Sequence, residues 1–234
     1  MKNLQTLANE YGSDKGTTGG RTPHRYTYIY DLLFAPQKEQ DITFLEIGLC
    51  RGGPELGKSI DRVAVSPSVR MWTEYFTRAD IVGFDISDFS HQQSERFTFI
   101  RGDCGKDEDV QRLAASRDGF DVIIDDASHA SYHQQLVFKH LWPKLRAGGL
   151  YIIEDVNWQP PVYEESLPRV PVTATFFQTF LEEGELLENT VLTPEIMRAV
   201  ERQTMSAAFF PSFKVSTSSR IKLMVLRKCY QAEA

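Results

Sequence analysis

Two short apolar runs, residues 120–126 (FDVIIDD) and 149–155 (GLYIIED), each end in a pair of acids. Runs this apolar suit strands buried on both faces, the habit of a parallel sheet covered by helices. Each run delivers two carboxylates at its C-terminal end. Asp125, Asp126, Glu154 and Asp155 are therefore expected together on one rim of one sheet. Neighbouring strands lie about 4.8 Å apart, so four buried carboxylates there repel one another and raise one another's pKa. A divalent cation holds such a group ionised, because hard cations take oxygen ligands. An all-oxygen site favours Mg²⁺, with Mn²⁺ or Ca²⁺ as alternatives. Successive side chains of a strand point to opposite faces. One of Asp125 and Asp126 is thus expected at the ion, and the other at a helix cap or a cofactor.

The rest of the chain builds a sheet around these two strands. Residues 42–47 (ITFLEI), 81–86 (IVGFDI) and 97–100 read as three further strands. Between the acid-ended runs, residues 132–146 carry Leu141, Trp142 and Leu145 on one side of a helical pattern. Ser131 and Gln134 form a capping-box signature for its start, and Gly148 and Gly149 mark its end. Residues 26–34 read as an amphipathic helix, and residues 11–20 are polar and turn-rich. Strands alternating with helices imply an α/β fold, a mostly parallel seven-stranded sheet with helices on both faces. Residues 221–227 (IKLMVLR) form a closing strand, with residues 209–215 as its antiparallel partner. Residues 54–79 make a long crossover, in which Met71, Trp72, Tyr75 and Phe76 are expected to pack a helix. Residues 157–205 carry Pro160, Pro161, Pro168 and Pro171 and read as a lid or substrate-facing insertion in a single domain spanning 1–234. Ligands of such sheets bind beyond the carboxyl ends of the strands, where the acid pairs lie.

Composition narrows the function. A length of 234 residues suits one α/β domain, and a net charge of −6 offers no basic footprint for nucleic acid. No run approaches the ~20 apolar residues that span a bilayer, and the first residues lack the apolar core of a signal peptide. Cys50, Cys104 and Cys229 are odd in number and far apart, which points to reduced thiols in a cytoplasmic protein rather than a zinc site. A homo-oligomer with no nucleic-acid or membrane partner is the expected assembly.

The first strand runs into Glu46-Ile-Gly48-Leu-Cys-Arg-Gly52-Gly53. Glycine there lets the backbone approach a ligand. No Gly-Lys-Ser/Thr follows, so this is not a phosphate-binding P-loop, and the G-x-G-x-x-G dinucleotide pattern is absent. The pattern E-x-G-x-x-x-G-G instead resembles the first motif of class I S-adenosylmethionine-dependent methyltransferases. Asp85 ends the second strand, where a carboxylate accepts strong hydrogen bonds from both ribose hydroxyls of a nucleoside. Asp103 follows the third strand, either near the adenine end or as a turn or helix-capping residue. His129, three residues after Asp126, is the natural general base, with a pKa suited to accepting a proton at neutral pH. His133 is the reserve candidate, and His24 and His140 are expected to be structural.

Residues 11–16 (YGSDKG), 45–53 (LEIGLCRGG), 81–86, 102–103, 122–129 (VIIDDASH) and 141–155 (LWPKLRAGGLYIIED) together resemble the metal-dependent sugar O-methyltransferases of antibiotic biosynthesis, such as those acting on mycinamicin and tylosin macrolides. The resemblance covers roughly residues 7–157. It implies Mg²⁺ at Asp126, Glu154 and Asp155, with His129 as base and Asp125 in a supporting role. It also implies S-adenosylmethionine against Glu46, Gly48 and Gly52, its ribose on Asp85, and Tyr11 and Ser13 in a segment folded over it. The implied reaction is methyl transfer to a hydroxyl, on a sugar of a glycosylated natural product or nucleotide sugar. Transfer to a catechol-like hydroxyl, or a non-catalytic nucleotide-binding protein of the same fold, are the alternatives. Two positions depart from the pattern. Pro54 stands where serine is common, and Ala127 where glycine is common, so a positive φ at Ala127 would be strained. Acceptor choice is expected beyond residue 157, with Trp158 and Tyr163 as pocket candidates and Phe176 and Phe177 as core.

Overall fold

Five strands run parallel: β1 (Thr43–Ile47), β2 (Asp80–Asp85), β3 (Phe97–Arg101), β4 (Phe120–Asp125) and β5 (Leu145–Glu154). Two more close the sheet, β6 (Thr204–Pro211) and β7 (Ile221–Lys228). β7 lies antiparallel to both β5 and β6. The order is β3-β2-β1-β4-β5-β7-β6, the α/β sheet with one antiparallel C-terminal strand that the sequence predicts. The computed structural model describes residues 2–19, 23–50, 65–157, 160–211, 213 and 220–230. Gly52, Pro54 and Trp158 lie outside the described residues.

Side chains alternate across the sheet as the two-residue period requires. Val122 and Ile124 of β4 face one layer, with α1 (Leu4–Tyr11), α2 (Thr27–Phe34) and α3 (Pro67–Tyr75). Ile123 faces the other, with α4 (Asp107–Ala114), α5 (Ser131–Leu141), α7 (Thr173–Gln178) and α8 (Pro194–Gln203). A single turn, α6 (Pro161–Glu164), precedes α7. In the first layer Trp72 sits 4.9 Å from Phe44 and 5.8 Å from Phe34, ring centre to ring centre, and all three are fully buried. The predicted packing role of Met71, Trp72, Tyr75 and Phe76 is what the structure shows. Trp72→Ala is expected to cost about 3–5 kcal/mol, the range for emptying a large aromatic site. Urea denaturation measures this, and a loss under about 1 kcal/mol would contradict the packing argument.

Three predicted boundaries move. β6 begins at Thr204, ahead of the predicted 209. α5 ends at Leu141 rather than near 146, because Pro143 has no N–H to continue the helical ladder. β5 consequently begins at Leu145, opposite Phe120, and absorbs Gly148 at φ 76° as an irregularity before Leu150 pairs with Val122. The predicted capping box is not formed. Ser131 is the first helical residue, its Oγ accepting the Thr173 N–H at 3.2 Å, while the Gln134 amide donates to the Glu154 carbonyl at 3.1 Å. The first contact ties the start of α5 to the start of α7, and the second ties it to the end of β5. α7 is followed by a wider turn, Thr179–Glu183, closed by Gly184 at φ 73°. Phe176 and Phe177 are fully buried core residues. No helix among the described residues is long and apolar enough to cross a membrane.

Candidate active site

The strand order reverses between β1 and β4, and a cleft opens there at the carboxyl ends of the strands. Gly48, Asp85, Asp103, Ser128, His133 and Tyr163 are among the residues that line it. Gly48 makes the sharp exit from β1 at φ 84°, and a Cβ on it would lie 2.2 Å from the Asp126 carbonyl oxygen. Only glycine fits both constraints. Gly48→Ala should therefore displace the β4 turn and abolish nucleoside binding, which calorimetry with S-adenosylhomocysteine measures. Asp85 is fixed by the Leu49 N–H at 2.8 Å and the Ser87 N–H at 2.7 Å, so its carboxylate is anchored at the cleft wall. The Asp103 carboxylate accepts the Gly105 N–H at 2.9 Å, the predicted turn role, while still lining the cleft. His133 belongs to this cleft, not to the acid cluster. Its Nδ1 shares a 2.7 Å hydrogen bond with Ser128 Oγ, and burial lowers its pKa, favouring the neutral ring.

The acids form a second centre alongside. Asp126, His129 and Asp155 each present a ligand atom, and these atoms all lie within 4.8 Å of one another. His129 Nδ1 is 4.0 Å from Asp126 Oδ1. His129 and Asp155 adopt φ of 61° and 51°, and the only other non-glycine residue at positive φ among the described residues is Arg25. Such conformations cost on the order of 1–3 kcal/mol and persist where the surroundings dictate them, often at functional sites. Ala127 escapes that strain, because the left-handed turn falls at His129 instead.

The four acids meet different partners. Glu154 is buried, its Oε1 accepting from the Lys15 ammonium at 2.7 Å and from the Tyr30 hydroxyl at 2.6 Å. It is absent from the trio that presents ligand atoms. Asp155 accepts from Tyr26 OH at 3.2 Å, pairs with Lys222, and lies 3.9 Å from His24. Burial pushes the Asp155 carboxyl up, but His129, Lys222 and His24 together draw it below its ordinary value. Asp125 points inward, 1% exposed, accepting the Ala127 N–H at 3.3 Å. Burial raises its pKa to about 7, and it does not line the cleft.

The remaining residues predicted against the cofactor are placed elsewhere. Glu46 is buried behind the cleft, accepting from Ser68 Oγ at 2.7 Å, 3.7 Å from Lys15. Tyr11 donates to Glu74 on the surface, and Ser13 is buried with its Oγ toward the Lys15 N–H. The residue of the YGSDKG segment that reaches the site is Lys15. Lys15, Tyr26, Tyr30 and Lys222 have no signal in the sequence, since each becomes a partner only once the arm and β7 fold onto the rim.

No family model matches the chain. Demethylmacrocin O-methyltransferase of Streptomyces fradiae is 38% identical over 157 residues, 65% of this chain and 36% of that protein. A tetracenomycin rhamnosyl 2'-O-methyltransferase of Streptomyces olivaceus is 37% identical over 154 residues, 66% of this chain and 38% of that protein. Both relatives are O-methyltransferases by name. Mycinamicin VI 2''-O-methyltransferase of Micromonospora griseorubida is another, at 38% identity over 65% of this chain and 36% of that protein. The chain thus spans little more than a third of these relatives. Among solved structures, the MycE methyltransferase of the mycinamicin pathway, in complex with Mg, S-adenosylhomocysteine and mycinamicin VI, superposes with a TM-score of 0.67 at 26% identity. That match covers 97% of this chain and 55% of the MycE chain. A second MycE complex, with Mg and S-adenosylhomocysteine, gives 0.70. The fold is therefore the Rossmann-like class I methyltransferase fold.

Proposed function

We propose that the chain transfers a methyl group from S-adenosylmethionine to a hydroxyl, on a sugar of a glycosylated natural product or nucleotide sugar, with Mg²⁺ as the metal. The observation that supports this best is the convergence of Asp126, His129 and Asp155 beside the cleft that holds Asp85. Two carboxylates offer the hard oxygen donors that fit a divalent ion, with the imidazole beside them. Asp126 and Asp155 are the proposed ligands, and Glu154, ion-paired with Lys15, backs them from the interior. The cofactor would supply an electrophilic methyl, and the ion would make an adjacent hydroxyl more acidic.

The chain's own residues then do the rest. Asp85 orients the ribose, and Gly48 admits the backbone to the cofactor. His129, presented by its left-handed turn, takes the hydroxyl proton on a ring nitrogen as the oxygen accepts the methyl. His133 and Ser128 face the cleft and serve the cofactor. His133→Phe should accordingly weaken S-adenosylhomocysteine binding about tenfold, with kcat at saturating cofactor little changed. Residues 157–205 are proposed to carry acceptor contacts, with Tyr163 5.2 Å from the His133 ring. A cytoplasmic homo-oligomer belongs to the same reading. Methyl transfer to a panel of glycosides and nucleotide sugars, with and without EDTA, tests it. Transfer that continues unchanged in metal-free buffer would defeat the metal role, and transfer to phenols alone would defeat the sugar assignment.

A further inference from the structure

The residue the proposed chemistry does not use is Lys15. Its side chain is 2% exposed, and its ammonium lies 2.5 Å from Asp126 Oδ2, 2.7 Å from Glu154 Oε1 and 3.7 Å from Glu46 Oε1. Those acids come from β1, from the turn after β4 and from the end of β5. They close on one nitrogen that arrives from the N-terminal arm, where the Thr27 N–H holds the Lys15 carbonyl at 3.1 Å. Asp126, Glu154 and Glu46 thus surround the ammonium with negative charge. Three carboxylate oxygens around one point in a dry interior are what a hard cation seeks. Without the ammonium they would be left buried and uncompensated, which is strongly unfavourable.

Lys15 also divides Asp126. It engages Oδ2, leaving Oδ1 on the His129 side, 4.0 Å from Nδ1. We propose that Lys15 is the resident cation of a Glu46–Asp126–Glu154 seat and thereby confines a divalent ion to the neighbouring position at Asp126 and Asp155, beside His129. Lys15 is on this view a positioning residue, and the N-terminal arm is part of the metal site. The inference rests on the metal reading above for the neighbouring position, but not for the seat itself.

Counting bound Mn²⁺ by electron paramagnetic resonance on the full chain with S-adenosylhomocysteine separates the two. The wild type should bind one ion, Lys15→Arg, which keeps the charge, the same, and Lys15→Met one more. Should Lys15→Met be too unstable to titrate, its thermal midpoint should rise with Mn²⁺ by more than the wild type's, because the ion takes the place of the ammonium. A folded Lys15→Met protein binding no more Mn²⁺ than wild type, at the same affinity, overturns the inference. So does a destabilisation that Mn²⁺ relieves no better than in the wild type. The wild-type count alone tests the metal reading: no ion in wild type defeats that reading, while one additional ion in Lys15→Met still upholds the seat.

Discussion

His129→Ala should lower kcat by about 10²–10⁴, the contribution of a positioned general base, while leaving the S-adenosylhomocysteine Kd unchanged. His129 sits three residues past Asp126 on a turn held at φ 61°, and it lines the acid centre rather than the cofactor cleft. Its removal therefore leaves Gly48, Asp85, Ser128 and His133 in place. The Mn²⁺ affinity distinguishes two duties of one imidazole. Its ligand atom lies within the Asp126–Asp155 trio, so an affinity that collapses in His129→Ala would make it a metal ligand. A preserved affinity with lost turnover is the expected result for a base. Turnover within about threefold of wild type would sink the assignment altogether. Because alanine also relieves little of the left-handed strain, His129→Asn, which tolerates that conformation better, should show the same loss and exclude a backbone cause.

The parts of this site that were legible in the sequence are those set by periodicity. An apolar strand ending in acids must put those acids on the rim, and both β4 and β5 do so. What the sequence hides is which way each acid turns. Asp126 and Asp155 face the imidazole, whereas Glu154 and Asp125 turn inward, and nothing in FDVIIDD or GLYIIED distinguishes adjacent carboxylates. Glu46 illustrates the same limit. Its place in the glycine loop suggests a cofactor contact, yet a strand residue alternates in facing, and its side chain falls on the Lys15 side. Lys15, Tyr26 and Tyr30 were invisible because the acids they meet at the ends of β4 and β5 lie more than a hundred residues away, and Lys222 because it meets Asp155 from the antiparallel β7. Pro143, by contrast, was a local signal that outranked the helical pattern around it.

Asp155→Asn should weaken Mn²⁺ binding by more than about a hundredfold, beyond the 10–100-fold that even supporting residues cost, and should destabilise the fold at neutral pH. The stability loss comes from the Lys222 pair. Lys222 reaches Asp155 from β7, with side-chain exposures of 19% and 11%, so the asparagine leaves an ammonium facing no carboxylate in a mostly dry place. Breaking a fully buried pair costs about 3–5 kcal/mol; partial exposure brings the expectation to roughly 1–3 kcal/mol. The pH dependence gives the sign. The Asp155 pKa is lowered in the folded chain, below an unfolded value of about 3.9. Its stabilisation is therefore present in full above about pH 4 and is lost as the pH falls through the folded value. Wild type and Asp155→Asn should differ at pH 7 and converge in acid, and a gap independent of pH would refute the ion-pair account. Lys222→Met completes the argument, because it breaks the same pair from the other side without removing a metal ligand. It should reproduce the loss of stability but leave Mn²⁺ binding as tight as wild type or tighter, since a cation has gone from the neighbourhood of the ion. A fall in Mn²⁺ affinity matching that of Asp155→Asn would mean that the pair, and not the carboxylate, builds the metal position.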